Sequence, residues 1–349
     1  MLRRFVVAGA AVVLSLTLGC TGPSGSNAVA TAQIRAQKSV ATERPTALVS
    51  TATVDATRSP VLTATIDATQ SPMLTATIDA TTSVTVRFLD VGQGSAVLVQ
   101  GEEYCALIDF GRSSSKLLAG LQAAGVKHLD ALFVTHPDSD HYGAWRSLID
   151  GGYVDAGTVF YEPTFYMPLG QITAGYGEMK VALEGQQIRV VSIDTSTQNR
   201  LPANLRANIE VLWPNPENSS VITDKNDNSL TFDVHAGKAD VFVTGDIGKK
   251  VEGVLSDSGY QLGEMEVYGV SHHGSRYSSA LRLLDILKPG IAVISVGKNG
   301  YGHPHPDTLA RLQIATAKYS LGKKPVVYRT DQQGILSIEL PSLEVEIQR

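Results

Sequence analysis

Apolar and polar positions follow one pattern up to about residue 83 and another beyond it. From Val84 onward, short apolar runs recur that read as strands. The stretch Val84-Thr85-Val86-Arg87-Phe88-Leu89 alternates, and the runs at 96–99 and 105–108 flank a Gly101-Glu102-Glu103 turn. Residues 115–124 have helical spacing and stop at Gly125. Further strands are expected at 131–135, 158–161, 188–193, 209–212, 230–234, 240–244, 265–269, 291–295, 326–328 and 335–340. Helices are expected at 145–149, 247–255, 278–287 and 306–320. A β-meander followed by mixed β and α predicts an α/β domain over 84–349, with two sheets sandwiched between helices.

The upstream stretch obeys other rules. Arg3 and Arg4 precede an apolar run over 5–18. That run is shorter than the roughly 20 residues of a spanning helix and reads as an export signal, 1–19. Gly19 before Cys20 resembles the end of a bacterial lipoprotein signal, although Thr17 and Leu18 stand where that motif prefers leucine and a small residue. The resemblance implies a lipid on Cys20 and a protein held on the extracytoplasmic face of the membrane. An ordinary secretory signal or an uncleaved anchor is the alternative. Residues 20–83 are rich in Ser, Thr, Ala and Pro and repeat with a period of twelve: TATVDATRSPVL from Thr51, TATIDATQSPML from Thr63, TATIDAT from Thr75. Such a segment buries too little apolar surface to offset chain entropy and reads as a disordered spacer, with a short β-solenoid as the other reading.

Composition narrows the chemistry. The chain has 349 residues, a formal net charge of −5 and two cysteines. With Cys20 lipidated, Cys105 has no intrachain partner, and its apolar surroundings make it a core residue. A net acidic chain without a basic tract is not a tight non-specific nucleic-acid binder. No obligate protein partner is evident.

The densest chemistry is His136-Pro-Asp138-Ser-Asp140-His141, at the end of the strand expected over 131–135. Two imidazoles and two carboxylates in one turn suit a first-row dication; a capped helix start would need only one of those carboxylates. Asp109, Asp246, His272-His273 and His303 each follow a strand, so all can meet at one rim of a sheet. His235 lies at the far end of its strand and reads as structural, while His128 and His305 read as surface residues. A dication lowers the pKa of bound water to about 7 and so supplies a nucleophile at neutral pH. Specificity is expected in the loops 153–185 and 195–207.

These motifs, with Leu89-Asp90-Val91-Gly92-Gln93-Gly94-Ser95, Asn226-Asp-Asn228-Ser-Leu230 and Ser295-Val-Gly-Lys-Asn-Gly-Tyr-Gly-His-Pro304, resemble the metallo-β-lactamase superfamily. More narrowly they are similar to the soluble hydrolase domain of ComEC-type competence proteins. The resemblance spans about 84–340 and implies an αββα sandwich with a metal pair at one edge. It implies His136 and Asp138 on a first ion, Asp140, His141 and His273 on a second, and Asp246 between them. His273 is preferred to His272 because it stands directly before glycine, as the superfamily's last ligand does. Asp140, His272 and His303 become the catalytic candidates, and Asp90, Asp109 and Asn228 the groups that orient ligands. The superfamily's usual turn is H-x-H-x-D-H, so Asp138 replaces its middle histidine, and the separate histidine before T-G-D is absent. The donor set is therefore rich in oxygen: one or two zinc ions, with manganese as the alternative. The implied activity is hydrolysis of a phosphodiester, either nucleic acid such as DNA or a cell-envelope phosphoester. A lactonase- or thioesterase-like hydrolase and a non-catalytic metal-containing binding module remain as alternatives.

Overall fold

Strands that are apolar on both sides need cover on both sides, and here they have it. The computed structural model describes residues 83–167, 172–257, 262–319 and 326–349, together with the backbone of 2–7, 10–16 and 32–38. Two units are distinguished, Met1–Ala80 and Thr81–Arg349. In the first, the described strands Leu2–Val7 (β1), Ala10–Leu16 (β2) and Ala32–Lys38 (β3) form an antiparallel sheet in the order β1-β2-β3. The third of these falls within the stretch read as a spacer. Cys20 and the twelve-residue repeats lie outside the described residues. No helix of the described residues is long and apolar enough to cross a membrane.

The second unit holds two sheets. Val84–Phe88 (β4), Val97–Gln100 (β5), Cys105–Ile108 (β6), Ala131–Phe133 (β7), Val159–Pro163 (β8) and Arg189–Ile193 (β9) run side by side in chain order. The C-terminal strands Ile335–Leu340 (β16) and Glu344–Gln348 (β17) complete this sheet beyond β4. Pairing is antiparallel from β17 to β6 and parallel from β6 to β9. The other sheet is Ile209–Trp213 (β10), Thr231–Ala236 (β11), Ala239–Val243 (β12), Val267–Gly269 (β13), Ile291–Ile294 (β14) and Val326–Arg329 (β15), in that order. It too begins antiparallel and turns parallel, at β12.

Alternation sorts the side chains into layers. Val97 and Val99 enter the core between the sheets while Leu98 points the other way; Ala106 and Ile108 part from Leu107, and Val241 and Val243 from Phe242, in the same manner. Leu98 and Leu107 meet Leu117 and Leu121 of Ser114–Ala123 (α1), Leu148 of Trp145–Asp150 (α3) and Tyr176, Met179 and Leu183 of Ala174–Gly185 (α4). Phe242 and Tyr268 meet Val251 and Leu255 of Lys249–Leu255 (α6), Leu283 and Leu284 of Leu281–Leu287 (α7) and Leu312 of Pro306–Tyr319 (α8). The result is the αββα sandwich expected from the sequence.

Some elements differ from expectation. The loop expected over 153–185 contains α4, whose buried Tyr176, Met179 and Leu183 repeat every three to four residues; the glycines at 175, 177 and 185 mask that spacing in the sequence. The helix expected from 278 begins at Leu281, because Ser279 sits at φ 55° and turns the chain first. Strand β17 was not anticipated. It alternates Glu and Val or Ile, is mostly exposed, and forms a charged sheet edge of the kind that resists strand addition.

Candidate metal centre

The parallel strands of both sheets end at one rim, and the polar turns begin there. Asp109 follows β6 directly, and His136 and Asp246 each stand three residues beyond the end of β7 and β12. His272 and His273 follow β13, and Ser295 follows β14. Ligand sites of open α/β sheets form at such carboxyl-terminal strand ends.

Asp109 organises the first half. Its Oδ1 accepts from the Thr135 N–H at 2.8 Å and its Oδ2 from the Thr135 hydroxyl at 2.9 Å. The same Oδ2 lies 2.6 Å from Nδ1 of His141, which donates to it. In the second half, His273 Nδ1 donates to the Ser295 carbonyl at 2.7 Å. Both histidines thus carry their proton on Nδ1, and their Nε2 atoms face each other 3.2 Å apart. Two imidazole lone pairs at that distance repel unless a positive charge lies between them. Asp246 closes the group: its Oδ1 stands 3.2 Å from His141 Nε2 and 3.6 Å from His273 Nε2. Its Oδ2 stands 3.8 Å from His136 Nε2 and 3.7 Å from His272 Nε2. Asp140 Oδ2 is 3.6 Å from His273 Nε2.

These donors fit a divalent cation. His136, His141 and Asp246 form one set whose ligand atoms lie within 4.8 Å of one another, and Asp140, His141 and His273 form another. His136 Nε2 and Asp246 Oδ1 are buried without a hydrogen bond, which is costly unless another partner takes them. Burial opposes the charge on Asp246, yet His273, His141 and His272 hold its carboxyl well below the usual range. Burial likewise opposes a charged His141, yet Asp246 and Asp109 hold that imidazole well above its ordinary value. The carboxylates impose a field that stabilises positive charge at this point, whether a proton or a metal ion supplies it.

Backbone strain gathers at the same place. Asp109 has φ 58°, and His272 and His273 both have φ 53°. Each left-handed non-glycine residue costs on the order of 1–3 kcal/mol and persists only where its surroundings enforce it. Gly245 (φ +54°) lies so close to Thr135 and Ser229 that a Cβ there would stand 2.9 Å from the Cβ of each. Glycine is needed to bring Asp246 over the β7 turn. The Ser229 hydroxyl then accepts from the Asp246 N–H at 3.2 Å.

An open cavity of about 260 Å³ lies over the donors, with Arg112, Lys225, His272, Tyr301 and His303 on its walls. Arg112 donates to Ser139 Oγ at 2.8 Å. The Asn299 side chain ties the other wall: its Oδ1 accepts from the Tyr301 and His303 N–H groups, and its amide donates to the carbonyls of Gly297 and His303.

Comparison with known proteins agrees with this geometry. The family described as the metallo-beta-lactamase superfamily matches residues 89–159. ComE operon protein 3 of Bacillus subtilis is 29% identical over 273 residues, covering 72% of this chain and 32% of that protein. Competence protein ComA of Neisseria gonorrhoeae is 31% identical over 267 residues, covering 74% of this chain and 33% of that protein. The chain is a ComEC-like member of the metallo-beta-lactamase superfamily. It spans about a third of the length of these relatives. The solved metallo-beta-lactamase fold protein YhfI from Bacillus subtilis is similar with a TM-score of 0.45 and 14% identity, covering 73% of this chain and 99% of that one.

Against the ligand pattern that membership implies, the structure brings together His136, Asp140, His141, Asp246 and His273. His272 is partly exposed to the cavity, 3.7 Å from one Asp246 oxygen, while His273 is buried among the donors. Asp138 is the outlier. One of its oxygens is 3.4 Å from His136 Nε2, and the other is ion-paired with Lys225. His303 lies on the cavity wall, its ring centroid 5.5 Å from that of His272.

Two of the residues expected to orient ligands, Asp90 and Asn228, make no described hydrogen bond to a ligand side chain. Asp90 reaches no ligand histidine; it pairs with Lys116 at 2.7 Å and accepts from the Gly92 N–H at 3.0 Å, shaping its own loop. Asn228 is buried with both amide atoms lacking a hydrogen bond, and its neighbour Ser229 makes the contact to Asp246. Asp109 does orient His141. The loops 153–185 and 195–207 contribute none of the cavity-lining residues named above; Tyr176 packs into the outer helical layer instead. Cys105 has its thiol pushed up to about 12 by burial and by Asp130, consistent with a core residue. Sequence reasoning missed Thr135, Arg112 and Lys225. Thr135 could have been suspected from its place at the strand end before His136, but nothing local marks the two cations.

Proposed function

We propose that this chain is an exported, metal-dependent phosphodiesterase, held at the membrane through Cys20. One observation carries the hydrolytic reading: the His141 and His273 Nε2 atoms face each other at 3.2 Å beside Asp246, at the floor of an open cavity. A divalent ion, zinc or manganese, bound there polarises a phosphoryl or carbonyl oxygen and acidifies water. His136, His141, His273, Asp140 and Asp246 are the residues that would hold it.

The remaining roles belong to the protein. Asp140 stands between the donors and the cavity, and its carboxyl is kept low by His273 and His141 despite burial. It is an ionised hydrogen-bond acceptor, suited to orient a water, although a carboxyl held so low is a weak base. His272 stands 3.7 Å from Asp246 and open to the cavity, where it can pass a proton to a departing oxygen. His303 is held below the ordinary imidazole range by burial and by His272, so it serves as a neutral hydrogen-bonding wall. Arg112 offers a fixed cation to a phosphoryl oxygen, which favours an anionic ester over a neutral lactone or thioester. Phosphodiesters of nucleic acid and of envelope polymers both meet that description.

The test uses the full chain, loaded with zinc or with manganese. Bis-p-nitrophenyl phosphate, single-stranded DNA, a phosphorylcholine ester and a lactone are assayed side by side. Cleavage of a diester that disappears in Asp140→Ala is the expected result. Bound metal with no turnover identifies a binding module, and cleavage of the lactone alone identifies a carbonyl hydrolase.

A further inference from the structure

Lys225 lies on the cavity wall, but its ammonium is engaged by a carboxylate of the donor turn. Its ammonium makes an ion pair with one oxygen of Asp138, the residue standing where the superfamily's turn carries its middle histidine. Asp138 is free to be drawn this way. It occupies the N-cap position of the short helix Ser139–Tyr142 (α2), yet its side chain makes no capping hydrogen bond. Its carboxylate belongs to neither of the two converging donor sets, although His136 Nε2 is only 3.4 Å away.

The turn that presents Lys225 is built to hold it. Asp224 Oδ1 accepts from the N–H groups of Asn226 and Asp227 at 2.8 and 2.9 Å. Asp227 Oδ2 accepts from the Thr223 N–H at 3.1 Å and from its hydroxyl at 2.8 Å, and the Asp227 carbonyl accepts from Trp213 Nε1 at 2.6 Å. The Asn228 N–H closes the turn on the Lys225 carbonyl at 3.3 Å. A lysine on a backbone pinned at so many points is a positioned charge. A solvated side chain free to swing away would not need that frame.

We propose that Lys225 substitutes for the charge of a first metal ion, so that the chain binds one divalent ion tightly and the position beside Asp138 only weakly. The inference rests on the metal-dependent reading above. A dication at His136 and Asp138 would have to share one carboxylate with an ammonium already in place, and like charges at such range repel. The ion that binds well is the one drawn by His141 and Asp246, which have no lysine among their partners.

The opposite role makes the opposite prediction. If Lys225 merely orients Asp138 toward a metal, removing it lowers affinity, as loss of a residue supporting a ligand does. The experiment is equilibrium dialysis of the full chain against manganese and against zinc, with metal counted per chain and manganese spectra recorded by electron paramagnetic resonance. Wild type is expected to hold one tight ion with an uncoupled spectrum. Lys225→Met is expected to bind a second ion about tenfold more tightly than wild type does, because the repelling charge is gone, with spin coupling between the two. Lys225→Arg keeps the charge and stays at one. Two equally tight ions in wild type, or lower affinity in Lys225→Met, overturns the proposal while leaving the metal reading intact. Absence of any bound metal in wild type overturns both. If Lys225→Met does not fold, the wild-type stoichiometry and spectrum decide alone.

Discussion

Asp109 Oδ2 and His141 Nδ1 meet at 2.6 Å inside a fully buried pocket, and that contact decides which nitrogen of His141 faces the centre. The acid accepts the Nδ1 proton, so Nε2 is left bare toward Asp246 and His273. Asp109→Asn exchanges an acceptor for an amide that can point its N–H at the ring. Metal affinity should fall by about 10–100-fold, read by competition with a chromophoric chelator. Unchanged affinity would show that Asp109 supports only the Thr135 turn.

Gly245 carries Asp246 over the β7 turn at a backbone angle that suits glycine, with Thr135 and Ser229 closing the space. Gly245→Ala should lower stability by about 1–3 kcal/mol through left-handed strain and overpacking. It should weaken metal binding as well, since Asp246 moves with its backbone. Urea unfolding with and without metal separates the two effects.

Removing the metal should itself destabilise the unit. An ion that binds the folded form alone adds about 2.7 kcal/mol when present at a hundred times its dissociation constant. A chelator should therefore lower the unfolding midpoint of wild type. Asp246→Ala should start from the lower midpoint and show no further shift.

Glu252 ties α6 to the turn before α7. It is buried and accepts from the Ser279 and Ala280 N–H groups at 2.6 and 2.8 Å. Burial pushes its carboxyl up to about 7, from an ordinary 4.5. Between those values the folded chain keeps a proton that the unfolded chain has lost. The associated stability is fully present below pH 4.5 and declines as pH rises toward 7, by roughly 3 kcal/mol in all. Urea unfolding at pH 5 and pH 8 should show a larger pH-dependent loss in wild type than in Glu252→Gln. Equal losses would place the titration elsewhere.

Arg112 stands on the cavity wall outside the donor sets. Arg112→Ala should raise the KM for an anionic diester severalfold, leaving metal content unchanged. A fall in bound metal instead would make it a structural partner of the turn through Ser139.

The layered fold was legible because strands buried on both faces leave continuous apolar runs, as in Ala106-Leu107-Ile108 and Val241-Phe242-Val243. The donor residues were legible because they gather in short polar turns that follow such runs. Their partners were harder to see. Lys225 meets Asp138 across a sequence separation of 87 residues, and a lone lysine carries no local signature. Asp90 misled for a related reason: an acid in a motif loop reads as a ligand partner, and only the approach of Lys116 shows that its charge is already spoken for. Helix α4 escaped because its glycines lower its propensity, and the neighbouring sheet compensates by burying Tyr176 and Met179.

The donors come from both sheets: His136, Asp140 and His141 from the turn after β7, Asp246 and His273 from the turns after β12 and β13. Each of the two converging donor sets takes two residues from the turn after β7 and one from the other leaf. A bound ion is therefore a rivet between the two leaves.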